Sequence, residues 1–215
     1  SGNTTVNAGT LEIGAGGSIA NSSTITIGDG ATLDVVAVDF AIGSGKTLAH
    51  NTVDGLGFVS GAVTFDSGGQ VSLQADGTGK TIGYLSIDGD VTFNGNTINI
   101  NVANTPLGAG SYPVLSYSGF KSGSFNSTPN ITGAGIAAGN FFELRENADD
   151  AIELHVYPQP RIWIGGGADN NWNTTANWTN NFVPSGEDPV VFNGTTRQNN
   201  TNNLSGLTIE SLTFN

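Results

Sequence analysis

Across 215 residues the chain carries 32 Gly, only 11% charged residues, and 6 Lys plus Arg against 18 Asp plus Glu, for a formal charge of −12. A helical globular domain carries about 25% charge, so long amphipathic helices are excluded, and an acidic surface without a basic patch excludes nucleic acid and anionic membranes as partners. Cys is absent, which removes disulfides and thiolate metal sites, and there is no 18-residue apolar run to insert in a membrane.

Between Gly9 and Asn51 one pattern comes round three times. It reads Leu11-Glu12-Ile13-Gly14-Ala15-Gly16, then Ile25-Thr26-Ile27-Gly28-Asp29-Gly30, then Phe40-Ala41-Ile42-Gly43-Ser44-Gly45. Each copy predicts a short strand, a turn built on Ile-Gly-x-Gly, and a second short strand. Apolar positions return about every seven residues, so three sides give a rung of about 21 residues. This predicts that Ile13 stacks on Val35, Ile19 on Ile42 and Ile27 on Leu48, with Glu12, Thr24, Thr26 and Asp34 outward. Further strands are expected at Ser18 to Ala20, Phe58 to Phe65, Gln70 to Leu73, Gly83 to Ile87, Asp90 to Phe93 and Thr97 to Asn101. Short strands with such regular turns favour a parallel coil over an antiparallel meander, whose strands run to five or six residues. Residues 1–103 are accordingly expected to form a parallel β-helix.

Residues 104–157 change in character, with Pro106, Pro113 and Pro129 and with aromatics such as Tyr112, Tyr117, Phe120, Phe125, Phe141 and Phe142. Longer strands are predicted at Ser111 to Tyr117, Phe141 to Glu146 and Ala151 to Tyr157. Asn147-Ala148-Asp149-Asp150 has the composition of a hairpin turn. This is the expected antiparallel, aromatic-rich closure that protects the end of a coil. Pro158-Gln159-Pro160 then breaks the chain. Residues 158–215 hold all three indoles, Trp163, Trp172 and Trp178, within an Asn-rich stretch, and then resume short strands as if a further coil begins.

The pattern G-x-L-x-I-G-x-G of residues 1–101, with Val63-Thr64-Phe65-Asp66-Ser67-Gly68-Gly69, resembles the passenger regions of autotransporter-associated β-strand repeat proteins. Trp163-Ile164-Gly165-Gly166-Gly167, Asn171-Trp172, Ala176-Asn177-Trp178, Val183-Pro184, Asp188, Leu207-Thr208-Ile209 and Leu212-Thr213-Phe214-Asn215 resemble the segment that opens another unit in such surface proteins. The resemblance implies a right-handed parallel β-helix, an exported location and a structural or adhesive role. It carries no catalytic residues.

A polysaccharide-cleaving site on a β-helix needs converging carboxylates. Asp29, Asp34, Asp39 and Asp54 near Lys46, and Asp66, Asp76, Asp88 and Asp90 near Lys80, supply the residue types, but most sit in turns where Asp serves its own backbone. No catalytic residue is therefore assigned. Asp88-Gly89-Asp90 with Asn94 and Asn96 offers oxygen ligands that suit Ca²⁺, and no other cofactor is expected. His50 and His155 stand alone and read as packing or surface residues.

Two functional expectations follow. The first is a structural module of an extracellular or bacterial cell-surface protein, filament or adhesin, read as a mature piece or excised segment because it opens at Ser1. Its partner is a second copy or a tandem neighbour, joined head to tail. Leu207, Ile209, Leu212 and Phe214 of one unit then dock on the coil edge at Val6, Leu11 and Ile13 of the next. The second is a carbohydrate-binding or carbohydrate-cleaving coil in which Trp163, Trp172 and Trp178 stack on surface glycans.

Overall fold

The structure, a computed structural model, describes residues 2–186 and 188–215. Its regular elements are strands apart from two single turns of 3-10 helix, Thr175–Asn177 and Thr179–Asn181. Parallel sheets form a β-solenoid of about six turns. The chain divides into two compact units. One comprises Ser1–Ala138 with Phe142–Val156, and the other Gly139–Phe141 with Tyr157–Asn215.

In the first unit the chain visits three sheet faces in rotation. One face stacks Thr4–Val6, Thr24–Ile27, Thr47–His50, Gln70–Asp76, the second half of Val91–Ala103, and Asn130–Gly133. The next stacks Thr10–Glu12, Thr32–Asp34, Leu56–Ser60, Tyr84–Asp88 and Gly110–Tyr117, and the third Phe40–Ile42, Val63–Phe65, the first half of Val91–Ala103, and Lys121–Phe125. Period-2 alternation turns every second side chain inward, and parallel in-register pairing lays like on like. Leu11, Leu33, Val59, Ile87 and Tyr117 form one such column. Ile25, Leu48, Val71 and Ile98 form another. Each buried aliphatic side chain contributes about 1.5–3 kcal/mol, and these columns are the core.

The rung is not constant. Thr4 pairs with Ile25, at the spacing the repeat predicts. Thr24 pairs with Thr47, Gln70 with Thr97, and Asn99 with Asn130, each at a longer spacing than the one before. The added residues lie in corners, including the antiparallel excursion that pairs Thr81 with Asp76 and Ile82 with Ala75. Longer corners cost little, because loop-closure entropy grows only slowly with length.

Several local expectations shift for that reason. Ile13 N–H donates to Asp34 O at 2.8 Å, in step with Leu11 on Leu33, as the stacking of Ile13 on Val35 requires. Ile27, however, lies beside His50, and it is Ile25 that lies beside Leu48, because the second step is longer than the repeat predicts. Ile19 is outside any strand and half-buried against the core, and Ile42 pairs with Phe65 of the following rung. Phe58 to Phe65 is two strands, Leu56–Ser60 and Val63–Phe65, on different faces. Asp90 to Phe93 and Thr97 to Asn101 are one strand, Val91–Ala103, which turns a corner at a register shift between Asn94 and Asn96. There Asn96 is buried; its Nδ2 donates to Asp66 O and Gly69 O, at 2.8 and 2.9 Å.

Parallel coiling continues beyond residue 103, through Lys121–Phe125 and Asn130–Gly133. Gly123, beside Phe93, is obligatory: φ is +70°, and a Cβ would meet Phe93 O at 1.9 Å. Closure comes where Gly110–Tyr117 pairs antiparallel with Ala151–Pro158, itself flanked by Asn140–Glu146. The turn at Asn147 to Asp150 is closed by Asn147 N–H on Ala151 O at 2.9 Å, with Asp150 at φ +54°.

The second unit carries a three-stranded parallel sheet of Arg161–Trp163, Asp188–Phe192 and Ile209–Phe214. Arg161 pairs with Val190 and Val190 with Leu212, so rung-like pairing resumes here.

Candidate functional site

The outer strand of the second unit, Ile209–Phe214, is paired on one side only among the described residues. Val190 faces Leu212 and Phe192 faces Phe214, and the two phenyl rings stack 5.2 Å apart at 15°. Leu212 and Phe214 thus occupy the inward columns of a rung, yet they are 47% and 72% exposed because nothing lies over them. Leu207 and Ile209 are half-buried against the Trp cluster.

At the other predicted edge, Thr4–Val6 and Thr10–Glu12 are the outermost strands of their sheets. Val6 and Ile13 are buried in the core and Leu11 is half-buried. That edge therefore offers backbone N–H and C=O groups to a docking strand. Its predicted apolar side chains already face inward.

The three indoles are core. Trp163, Trp172 and Trp178 are 1%, 6% and 1% exposed and pack edge to face, with Trp178 at 5.1 Å from Trp163 and 5.5 Å from Trp172. Their N–H groups donate inward, to Thr196 O, Asn200 Oδ1 and Trp172 O respectively. No indole face is free for a sugar, which corrects the stacking platform expected from the sequence. Asn177, fully buried, braces the loop by accepting from Gly167 N–H at 2.8 Å and donating to Asn171 O at 2.9 Å. In the same unit Arg161 and Asp188 form a buried ion pair at 2.8 Å, and Ser185 donates two further hydrogen bonds to Asp188.

Of the carboxylates expected around Lys46 and Lys80, several are engaged by nearby donors. Asp29 accepts from Leu56 N–H, Asp34 from Val36 N–H, and Asp76 from Thr78 N–H and from Asn104. The Asn104 bond, first among these, holds the Asp76 carboxyl below its ordinary value. No ion pair links these acids to either lysine among the described residues.

Members of the oxygen set proposed for Ca²⁺ take part in rung-to-rung bonds. Asp88 accepts from Ser118 Oγ, Asp90 from Phe120 N–H, and Asn94 Nδ2 donates to Phe65 O. Among the described residues no group of three His, Cys, Asp or Glu is placed to hold a metal. His50 is buried between rungs, with Nδ1 2.7 Å from Ile27 O and Nε2 2.7 Å from Thr52 Oγ1.

One polar cluster was not anticipated. Tyr117 O–H donates to Glu146 Oε1, and Lys121 Nζ lies 2.8 Å from Glu146 Oε2. Burial first, then the bond to Glu146, holds the Tyr117 phenol well above its ordinary value. Burial alone would raise Glu146, but hydrogen bonds from Lys121 and Tyr117 outweigh it and leave the carboxyl below its ordinary value. These residues are dispersed in sequence and meet only because the closing hairpin folds over the last rung. No family model, curated protein or solved structure matches this chain.

Proposed function

We propose that this chain is a structural module of an exported bacterial surface protein, of the autotransporter-associated repeat type, that extends head to tail. The outer strand of one copy's second unit adds to the open strand edge of the next copy's first unit. The observation that supports this is the exposure of Leu212 and Phe214 in inward positions. Within the first unit, Val63-Thr64-Phe65 is covered by Val91-Thr92-Phe93, and Phe65 and Phe93 stack 5.2 Å apart at 4°. Leu212-Thr213-Phe214 repeats that motif on top of Val190-Val191-Phe192 with the same ring spacing, so it is chemically a rung prepared for another. An open parallel edge accepts a strand by backbone pairing, and a contact between two different surfaces extends as a filament unless its rotation closes a ring. The acidic surface rich in Gly, Asn and Thr supports the extracellular placement.

Electron microscopy and sedimentation of the purified chain test this. The wild type should form end-to-end assemblies, and deleting residues 195–215 should abolish them. Because Thr196 and Asn200 hold two indoles, a second variant, Leu212→Lys with Phe214→Lys, should give the same loss while it keeps both of those bonds. Assemblies that persist unchanged in both variants, or a wild type that stays monomeric at every concentration, would overturn the proposal.

A further inference from the structure

On the first unit a cleft of about 520 Å³ opens between the turn after Gly110–Tyr117 and the closing hairpin, lined by Tyr117, Ser118, Phe120, Lys121, Glu146 and Asp150. That volume lies within the ~300–1,000 Å³ of small-molecule sites. Phe120 stands at its rim with 86% of its surface exposed.

The ring is not exposed because its loop is loose. Phe120 N–H donates to Asp90 Oδ1 at 2.8 Å and Val91 N–H to Phe120 O at 2.9 Å. Gly119 N–H donates to Gly89 O at 3.0 Å, and Ser118 Oγ to Asp88 Oδ1 at 2.8 Å. Gly119 is required there, since a Cβ would lie 2.1 Å from Asp90 Oδ1. Every backbone link of the turn runs to the rung before it, so the phenyl ring is presented from a rigid base. An aromatic ring held out in this way adds nothing to the core.

Beside it the polar groups retain unused capacity. A carboxylate has about four lone-pair sites and an ammonium three donors. Glu146 uses one site for Tyr117 and one for Lys121, and Lys121 gives one donor to Glu146. At neutral pH the raised phenol makes Tyr117 the donor and the lowered carboxyl makes Glu146 the acceptor, in keeping with the bond between them. An apolar ring next to preorganised donors and acceptors matches a pyranose, which has one C–H face and a rim of hydroxyls. The cleft holds Glu146 and Asp150 against Lys121 alone, on a chain of charge −12, so a uronate would meet repulsion.

We propose that this cleft binds a neutral pyranose unit of a glycan, with Phe120 under the ring and Glu146 and Lys121 on its hydroxyls.

Affinity gel electrophoresis and calorimetry of the full chain against a β-1,3-glucan, a mannan, a galactan and polygalacturonate provide the test. At least one neutral glycan should bind, and Phe120→Ala and Glu146→Gln should each weaken it at least tenfold. The Phe120→Ala variant should unfold at the wild-type temperature, because the side chain it removes is outside the core. No binding of any neutral glycan, binding of polygalacturonate alone, or equal binding by Phe120→Ala would overturn the proposal.

Discussion

The two units meet the same requirement, a dry interior beneath parallel strands, with different residues. In the first, three sheet faces surround the core, and columns such as Leu33, Val59 and Ile87 fill it with modest aliphatic side chains. Outside, amides form a matching ladder: Asn130 Nδ2 donates to Asn99 Oδ1 and Asn99 Nδ2 to Gln70 Oε1, at 3.0 and 3.1 Å. In the second, one three-stranded sheet carries the regular pairing, and irregular loops supply the other walls. Indoles span that gap because of their size, and each needs an acceptor for its N–H once buried. Hence the Asn-rich loops, where Asn200 and Asn177 satisfy or brace what the absent ladders do not. The comparison teaches that a coil distributes its stability along repeated columns, whereas a rung without faces concentrates it in a few large side chains and one ion pair.

All three Trp lie in the second unit, so indole fluorescence reports it separately while far-UV circular dichroism is dominated by the first. The largest expected effect is Asp188→Ala, which strands a guanidinium that is 5% exposed. Leaving one buried charge unpaired costs about 3–5 kcal/mol. The fluorescence-detected midpoint should fall sharply, and Arg161→Met with Asp188→Leu should restore most of it. An unchanged midpoint for Asp188→Ala would show that the pair does not hold this unit together.

Phe93→Ala comes next. Its ring is 1% exposed between Phe65 and Phe125, so its loss should cost about 3–5 kcal/mol, somewhat less if neighbouring rungs collapse into the space. Here the dichroism transition should move and the fluorescence transition stay. Coincident shifts of both would dissolve the distinction between the units.

The smallest effect is at the Glu146 cluster. The folded-state carboxyl lies below its ordinary value of 4.5, so its contribution is fully present above that pH and is lost as pH falls through the lower folded value. The side chain is 35% exposed, so solvent screening keeps the term small. The stability gap between wild type and Glu146→Gln should therefore narrow below pH 4.5 in acid titrations followed by dichroism. A gap that widens in acid would contradict the assignment.

Legibility from sequence followed locality. Ile13-Gly14, Ile27-Gly28 and Ile42-Gly43 announced short strands and corners, because alternation and turn chemistry are properties of neighbouring residues. The turn at Asn147 to Asp150 was legible for the same reason. His50 was legible only as a packing or surface residue: its place beside Ile27 depends on a rung longer than the repeat, and no local pattern specifies that length. Nor was the cleft, since Tyr117, Lys121 and Glu146 come from three elements. The Trp segment was recognisable as a separate piece, while its inward orientation was decided by Val190 and Phe192 packing against it.

By itself, then, the sequence determined an all-β coil, its inward alternation and the motif that stacks, because these are set by period-2 geometry and by Gly, Asn and Asp at corners. Tertiary structure alone decided which rung meets which, that the indoles are interior, and that Phe120 stands free beside Glu146. Those outcomes depend on how many residues each corner absorbs, and corner length changes register at almost no energetic cost.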